Sequence, residues 1–112
     1  MLEILGHEPS KVYCTHHFQD EQRKHQSDGG SWTGPNFSAD FHEFAIEWSP
    51  ERIIWFVDGV ECFKSEKSVP RGKMYMLVNL AVGGGWPGDP DERTEFPTAL
   101  EVDYVRAYEK VP

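Results

Sequence analysis

The chain has 112 residues, with 19 acidic against 11 basic side chains and a formal net charge of −8. One domain at most fits that length. The charge excludes a phosphate-binding surface, which needs clustered Lys and Arg, so nucleic acid is not an expected partner. No apolar run reaches membrane length and no basic-then-apolar leader is present, so a membrane is not an expected partner either.

No window holds a 3.6-residue period, whereas period-two and short apolar runs recur between turn signals. The strands expected, in chain order, are Met1–Leu5, Val12–Phe18, Phe41–Trp48, Arg52–Val57, Val60–Lys64, Met74–Val82 and Leu100–Tyr108. Between residues 19 and 40 the composition turns to Gln, Asp, Ser and Gly, which reads as a long loop. Asp58-Gly59 between Val57 and Val60 predicts a two-residue hairpin turn, because both central positions take positive φ. Met74–Val82 is apolar almost throughout, as expected of a strand covered on both faces. It leads into a Gly-rich loop, Gly83-Gly84-Gly85-Trp86-Pro87-Gly88, in which Asp89, Asp91 and Glu92 form a solvated rim. Short strands joined by Gly and Pro turns point to a sandwich or jelly roll.

Aromatic residues make up 13% of the chain, four of them Trp, so some rings fill the core and others are free to stack on sugars. Trp48 and Trp55 alternate with apolar residues and belong in the core. Cys14 and Cys62 are the only cysteines and are expected as a pair of buried thiols. No Cys or His spacing marks a transition-metal site. Asn36-Phe37-Ser38 is a formal glycosylation sequon, of consequence only in a secreted eukaryotic protein.

Four segments, in order, resemble glycoside hydrolase family 16, the β-glucanases of the laminarinase kind. They are Met1–Tyr13, Asp40–Gly59 (with Asp-Phe-His-Glu-Phe-Ala-Ile-Glu-Trp and Val-Asp-Gly), Leu77–Gly88 and Val102–Tyr108. The resemblance covers nearly the whole chain but only the C-terminal portion of a family domain. It implies an all-β, concanavalin-like jelly-roll β-sandwich, incomplete in residues 1–112. In the family one strand carries Glu-x-Asp-x-x-Glu, of which Met1-Leu2-Glu3 matches the last three positions. Two residues between the family's Asp and this Glu imply a β-bulge, as in the 1,3-β-glucanase branch.

By resemblance Glu3 is the general acid/base of a retaining mechanism, which needs a second carboxyl about 5–5.5 Å away as nucleophile. That nucleophile lies outside the matched positions, so the chain alone is expected to be inactive. The resemblance also implies sugar contacts. His17, fourteen residues past Glu3 on a returning strand, is expected to touch sugar or Glu3, and Tyr13 and Thr15 share its face by period two. His16 faces the other way. Asn79 is a buried amide offered to a sugar hydroxyl, and Trp86 and Trp32 are stacking platforms. Asp103 matches a ligand of a structural calcium, a partial site here, while catalysis requires no cofactor. The expected partner is β-1,3-glucan or mixed-linkage glucan, together with self-association or an N-terminal partner segment that completes the sandwich. An extracellular or periplasmic location follows from the family. A non-catalytic β-glucan-binding module and a fragment completed by a partner chain remain as alternatives.

Overall fold

A computed structural model describes residues 1–112, which divide into two compact units, Met1–Met74 and Tyr75–Pro112. The first unit is all antiparallel β, in two three-stranded sheets. Strands β1 (Leu2–Glu3), β2 (Lys11–Gln19) and β3 (His25–Thr33) form one sheet; β4 (Phe44–Trp48), β5 (Ile53–Val57) and β6 (Val60–Ser65) form the other. In both sheets each strand neighbours the next in sequence. The chain has no helix, and none of its elements is a helix long and apolar enough to cross a membrane.

Alternation in the sequence decides which side of β2 is buried. Val12, Cys14 and His16 are buried, while Tyr13, Thr15 and His17 face outward. The core joins Cys14 of β2 to Ile53 and Trp55 of β5, with Leu2, Cys62, Phe63 and Val69 packed against them. Burying one such large side chain stabilises by about 1.5–3 kcal/mol. Trp55 is 1% exposed, and its ring lies 5.3 Å from that of Phe63. Its indole N–H has no hydrogen-bond partner, a desolvation cost of about 1–3 kcal/mol set against that gain.

The hairpin between β5 and β6 turns at Asp58 (φ 49°) and Gly59 (φ 78°), as the Asp-Gly pair predicts. Asp58 further accepts from the backbone N–H of Glu43 at 2.9 Å and pairs with His42 Nδ1 at 2.7 Å. The ladder slips between Trp55 and Phe56: Trp55 opposes Phe63 and Phe56 opposes Glu61, leaving Cys62 as the extra residue of a bulge.

Three sequence expectations are corrected. Residues 19–40 are not one loop, because His25–Thr33 pairs with all nine residues of β2. The polar stretch is a strand since one face is open to solvent, and its glycines are there for close approach. A Cβ on Gly30 would meet the Phe63 ring at 3.0 Å, and one on Gly29 the Cys14 carbonyl oxygen at 2.8 Å. The connecting turn is held by Asp20, whose carboxylate accepts from the N–H groups of Gln22 and Lys24.

Second, Met74–Val82 and Leu100–Tyr108 are not strands. The Tyr75–Pro112 unit contains neither strand nor helix, only irregular chain with turns at Gly84–Gly88 and Asp91–Thr94, and Leu77 is 77% exposed. A segment apolar on both sides becomes a strand only when neighbours take up its N–H and C=O groups. Third, Trp48 is not core: it is 45% exposed, and its indole N–H donates to the Pro70 carbonyl at 2.9 Å. It lies on edge strand β4, whose residues Phe44, Ile46 and Trp48 are opposed to Val57, Trp55 and Ile53 yet remain 39%, 48% and 45% exposed.

Candidate active site

The outward face of the first sheet is polar from end to end. Glu3 of β1 lies directly across from Tyr13, and the main-chain ladder continues through the Thr15 N–H to the Met1 carbonyl at 3.0 Å. Tyr13, Thr15 and His17 are in turn opposed to Ser31, Gly29 and Ser27. Because opposed residues share a face, these seven residues are on one side of the sheet. His25 adjoins His17 diagonally on the same side. A shallow depression of about 520 Å³ opens among Tyr13, Thr15, Ser27, Gly29 and Ser31. The Thr15, Ser27 and Ser31 side chains around Gly29, with His17 and His25 further along the same face, can exchange hydrogen bonds with a polyhydroxylated ligand.

Glu3 is half-buried at one end of this face. Tyr13 directs its hydroxyl away from the floor, donating to the Glu8 carboxylate at 2.5 Å. That bond, ahead of the nearby Lys11 and His7, holds the Glu8 carboxyl below its ordinary range. Lys11 Nζ sits 4.9 Å from the Tyr13 ring centre, closing the end of the face. His17 is exposed and its Nδ1 lies 3.0 Å from His25 Nε2, the two rings stacked at 5.2 Å.

His17 shares the Glu3 side of the sheet, as period two requires, but it does not reach Glu3. It stands four residues along β2 from Tyr13, a rise of about 13 Å, so of the two contacts expected for it only one to a ligand is within its range. His16 faces the other way and is buried, its Nε2 at 3.2 Å from the Ser68 carbonyl. Trp32 is a correction: it opposes Val12, so it points to the reverse side and packs on Phe37 at 6.4 Å. Of the remaining expected residues, Asn79, Trp86 and Asp103 belong to the Tyr75–Pro112 unit. Asn79 is exposed rather than buried, because the strand meant to bury it is not formed, and Trp86 is 53% exposed. Asp103 is exposed, and no three His, Cys, Asp or Glu side chains converge anywhere in the chain. Calcium takes roughly six to eight oxygens, so the residues present do not by themselves fit a calcium cage.

Ser27, Gly29, Ser31 and His25 were not foreseen as site residues. The signal was present as the alternation Ser27-x-Gly29-x-Ser31-x-Thr33, a period-two polar pattern that reads as a strand only beside a partner.

Two antiparallel sheets with a shared core, one of them carrying a hydroxyl-rich face headed by a carboxylate, define an all-β sandwich architecture. The sequence pattern of glycosyl hydrolases family 16 matches residues 1–106. This chain belongs to that family. It is 36% identical to a beta-glucanase of Rhodothermus marinus, across 96% of this chain and 43% of that protein. It is 35% identical to the clotting factor G alpha subunit of Tachypleus tridentatus, across 62% of this chain and 11% of that one. The laminarinase catalytic domain of Thermotoga maritima superposes with a TM-score of 0.68 at 35% identity, over 85% of this chain and 43% of that domain. The fold is therefore that of the family-16 jelly roll, and the chain spans less than half the length of these relatives.

Proposed function

We propose that these residues are the C-terminal portion of a retaining endo-1,3-β-glucanase domain, in which Glu3 is the general acid/base. The observation that carries this is the place of Glu3: half-buried, across from Tyr13, at the head of the one sheet face lined with hydroxyls and imidazoles. In a retaining mechanism a carboxylic acid protonates the glycosidic oxygen while a carboxylate about 5–5.5 Å away attacks the anomeric carbon. Glu3 supplies the first role. The acid then returns as base and takes a proton from the water that releases the sugar.

The nucleophile is to be sought on an upstream continuation of β1. Continued in the same register, such residues would run beside the stretch of β2 that holds His16, His17 and Phe18, which supports a contact from His17 to sugar bound beyond Glu3. Ser27, Ser31 and Thr15 then bind sugar hydroxyls; in the Tyr75–Pro112 unit, taken by itself, exposed Trp86 and Asn79 are offered for stacking and amide contacts to sugar. The substrate is β-1,3-glucan, with mixed-linkage glucan as the second substrate, met outside the cell or in the periplasm. No cofactor enters the reaction. The partly exposed Phe44, Ile46 and Trp48 on β4 support completion of the sandwich by an N-terminal segment or a second copy.

On this reading the attacking carboxylate is not among residues 1–112, and these residues by themselves are expected to release no reducing sugar from laminarin. Release that disappears in a Glu3→Gln variant of the purified chain would show that a nucleophile is already present. A second proposal, binding without catalysis, is supported by Glu3 being the one carboxylate among the residues of the hydroxyl-lined face. To separate the two, the natural upstream coding segment is joined to residues 1–112 and assayed on laminarin. Glu3-dependent turnover supports the enzyme; saturable binding of laminarioligosaccharide with no turnover supports the binding module. Trp fluorescence reads the binding, with Trp86→Ala as the control for stacking.

A further inference from the structure

We propose that Cys14 and Cys62 form a redox-modification site, a dithiol that a small-molecule disulfide converts to a covalent clamp between the two sheets. The two sulfurs lie 3.6 Å apart, one on β2 and the other on β6, 48 residues away in sequence. No disulfide joins them: both are free cysteines in this structure. Their meeting is a product of the β6 bulge. Cys62 is the residue that the ladder leaves unopposed, so its side chain is turned in toward Cys14 beside Phe63. The Cys62 thiol also donates to the Trp55 carbonyl at 3.3 Å, which holds it at the sheet-to-sheet boundary. A disulfide needs sulfurs about 2.05 Å apart, and rotation about the two Cα–Cβ bonds is the motion that closes the remaining gap.

The order of events follows from access. Cys14 is fully buried, and burial, reinforced by the neighbouring Cys62 thiol, pushes its thiol up to about 12. Cys62 is only half-buried. Its thiolate attacks one sulfur of the oxidant, glutathione disulfide for instance, breaking the oxidant's S–S bond and releasing one small thiolate. Cys14 gives its proton to solvent or to that thiolate and attacks the Cys62 sulfur of the mixed disulfide. The second small thiol then leaves. Two electrons and two protons pass from the protein to the oxidant, which ends as two thiols. Reduction in the other direction must expel Cys14, a poor leaving group by the same burial, so the clamp once formed opens slowly.

The test uses the full chain, equilibrated across glutathione redox ratios, quenched in acid, unfolded and alkylated. The expected result is joint loss of both thiols, a mass decrease of two hydrogens and a Cys14–Cys62 cross-linked peptide. Tm should rise on the order of 10 °C through closure of the long loop and return on adding dithiothreitol. Cys14→Ala should stop at a single glutathione adduct on Cys62. Should that variant fail to fold, the cross-linked peptide from the unmodified sequence decides alone. A persistent adduct on Cys62 with Cys14 still alkylated, two intact thiols at the most oxidising ratio, or cross-linking between chains would each overturn the proposal.

Discussion

Residues 75–112 are richer in apolar side chains than residues 1–74, and the two regions differ in what those side chains have to work with. In the first region Ile53, Ile54, Trp55 and Val57 become a buried strand because β4 and β6 take up both of its backbone edges. In the second, Leu77, Val78 and Leu80 form a run just as apolar, yet they stay more than half exposed and outside any ladder. Hydrophobic content thus sets the appetite for burial, and backbone pairing decides whether it is met. The same contrast falls on the candidate site: Glu3, His17 and the serines are fixed by register, whereas Asn79 and Trp86 sit on chain that no sheet holds.

The sharpest way to break that contrast is to empty the first core. Trp55→Ala should cost about 3–5 kcal/mol, enough to unfold much of a domain this small. Urea or thermal melts followed by far-UV circular dichroism would read it, and an unchanged midpoint would show that Trp55 is not the keystone. Next in size, Gly30→Val drives a side chain into the Phe63 ring, 3.0 Å from where its Cβ would stand. A loss of about 1–3 kcal/mol is expected, and Phe63→Ala should relieve part of it in a double-mutant cycle.

A smaller effect tests the link between β3 and β6. Asp28 accepts from Ser65 Oγ at 2.8 Å and pairs with Lys67 at 3.0 Å. Those bonds, the Ser65 hydroxyl foremost, hold its carboxyl below the ordinary range, as the Glu43 N–H does for Asp58 and the Lys24 N–H for Asp20. A carboxylate depressed in the folded state contributes stability that is complete above its unfolded value, about 3.9 for Asp, and is lost as pH falls through the folded value. Stability should therefore be flat above pH ~5 and decline below pH ~4, with Asp28→Asn costing about 1 kcal/mol near neutrality and flattening the acid limb. The smallest effect belongs to the second region: Leu77→Ser should change stability by less than about 0.5 kcal/mol. A loss comparable to that of Trp55→Ala would mean that residues 75–112 pack as a core of their own.

Much of the first region was legible in the sequence. The β5–β6 hairpin announced itself through Asp58-Gly59, and β2 through strict alternation, which also placed Tyr13, Thr15 and His17 on the Glu3 side. What escaped was decided by neighbours rather than by local pattern. Strand β3 is polar and carries two adjacent glycines, features of a loop until β2 is set beside it and Phe63 beneath it. The expected strands at 74–82 and 100–108 failed for the converse reason, since their pattern was right and their partners are not in the ladders of this chain. Trp48 followed the same logic, lying on an edge strand where only the Pro70 segment meets it and its ring stays 45% exposed. Trp32 was misplaced because its strand was missed, and a strand's register is what assigns a face.

The proposal that the hydroxyl-rich face of the first sheet is a glucan site is most directly tested by backbone amide NMR of the full chain during titration with laminarioligosaccharide. Saturable shifts should concentrate at Glu3, Tyr13, Thr15, His17, Ser27, Gly29 and Ser31, with residues near Trp48 and Pro70 silent. Shifts centred on β4–β6, or none at millimolar sugar, would contradict the assignment of that face.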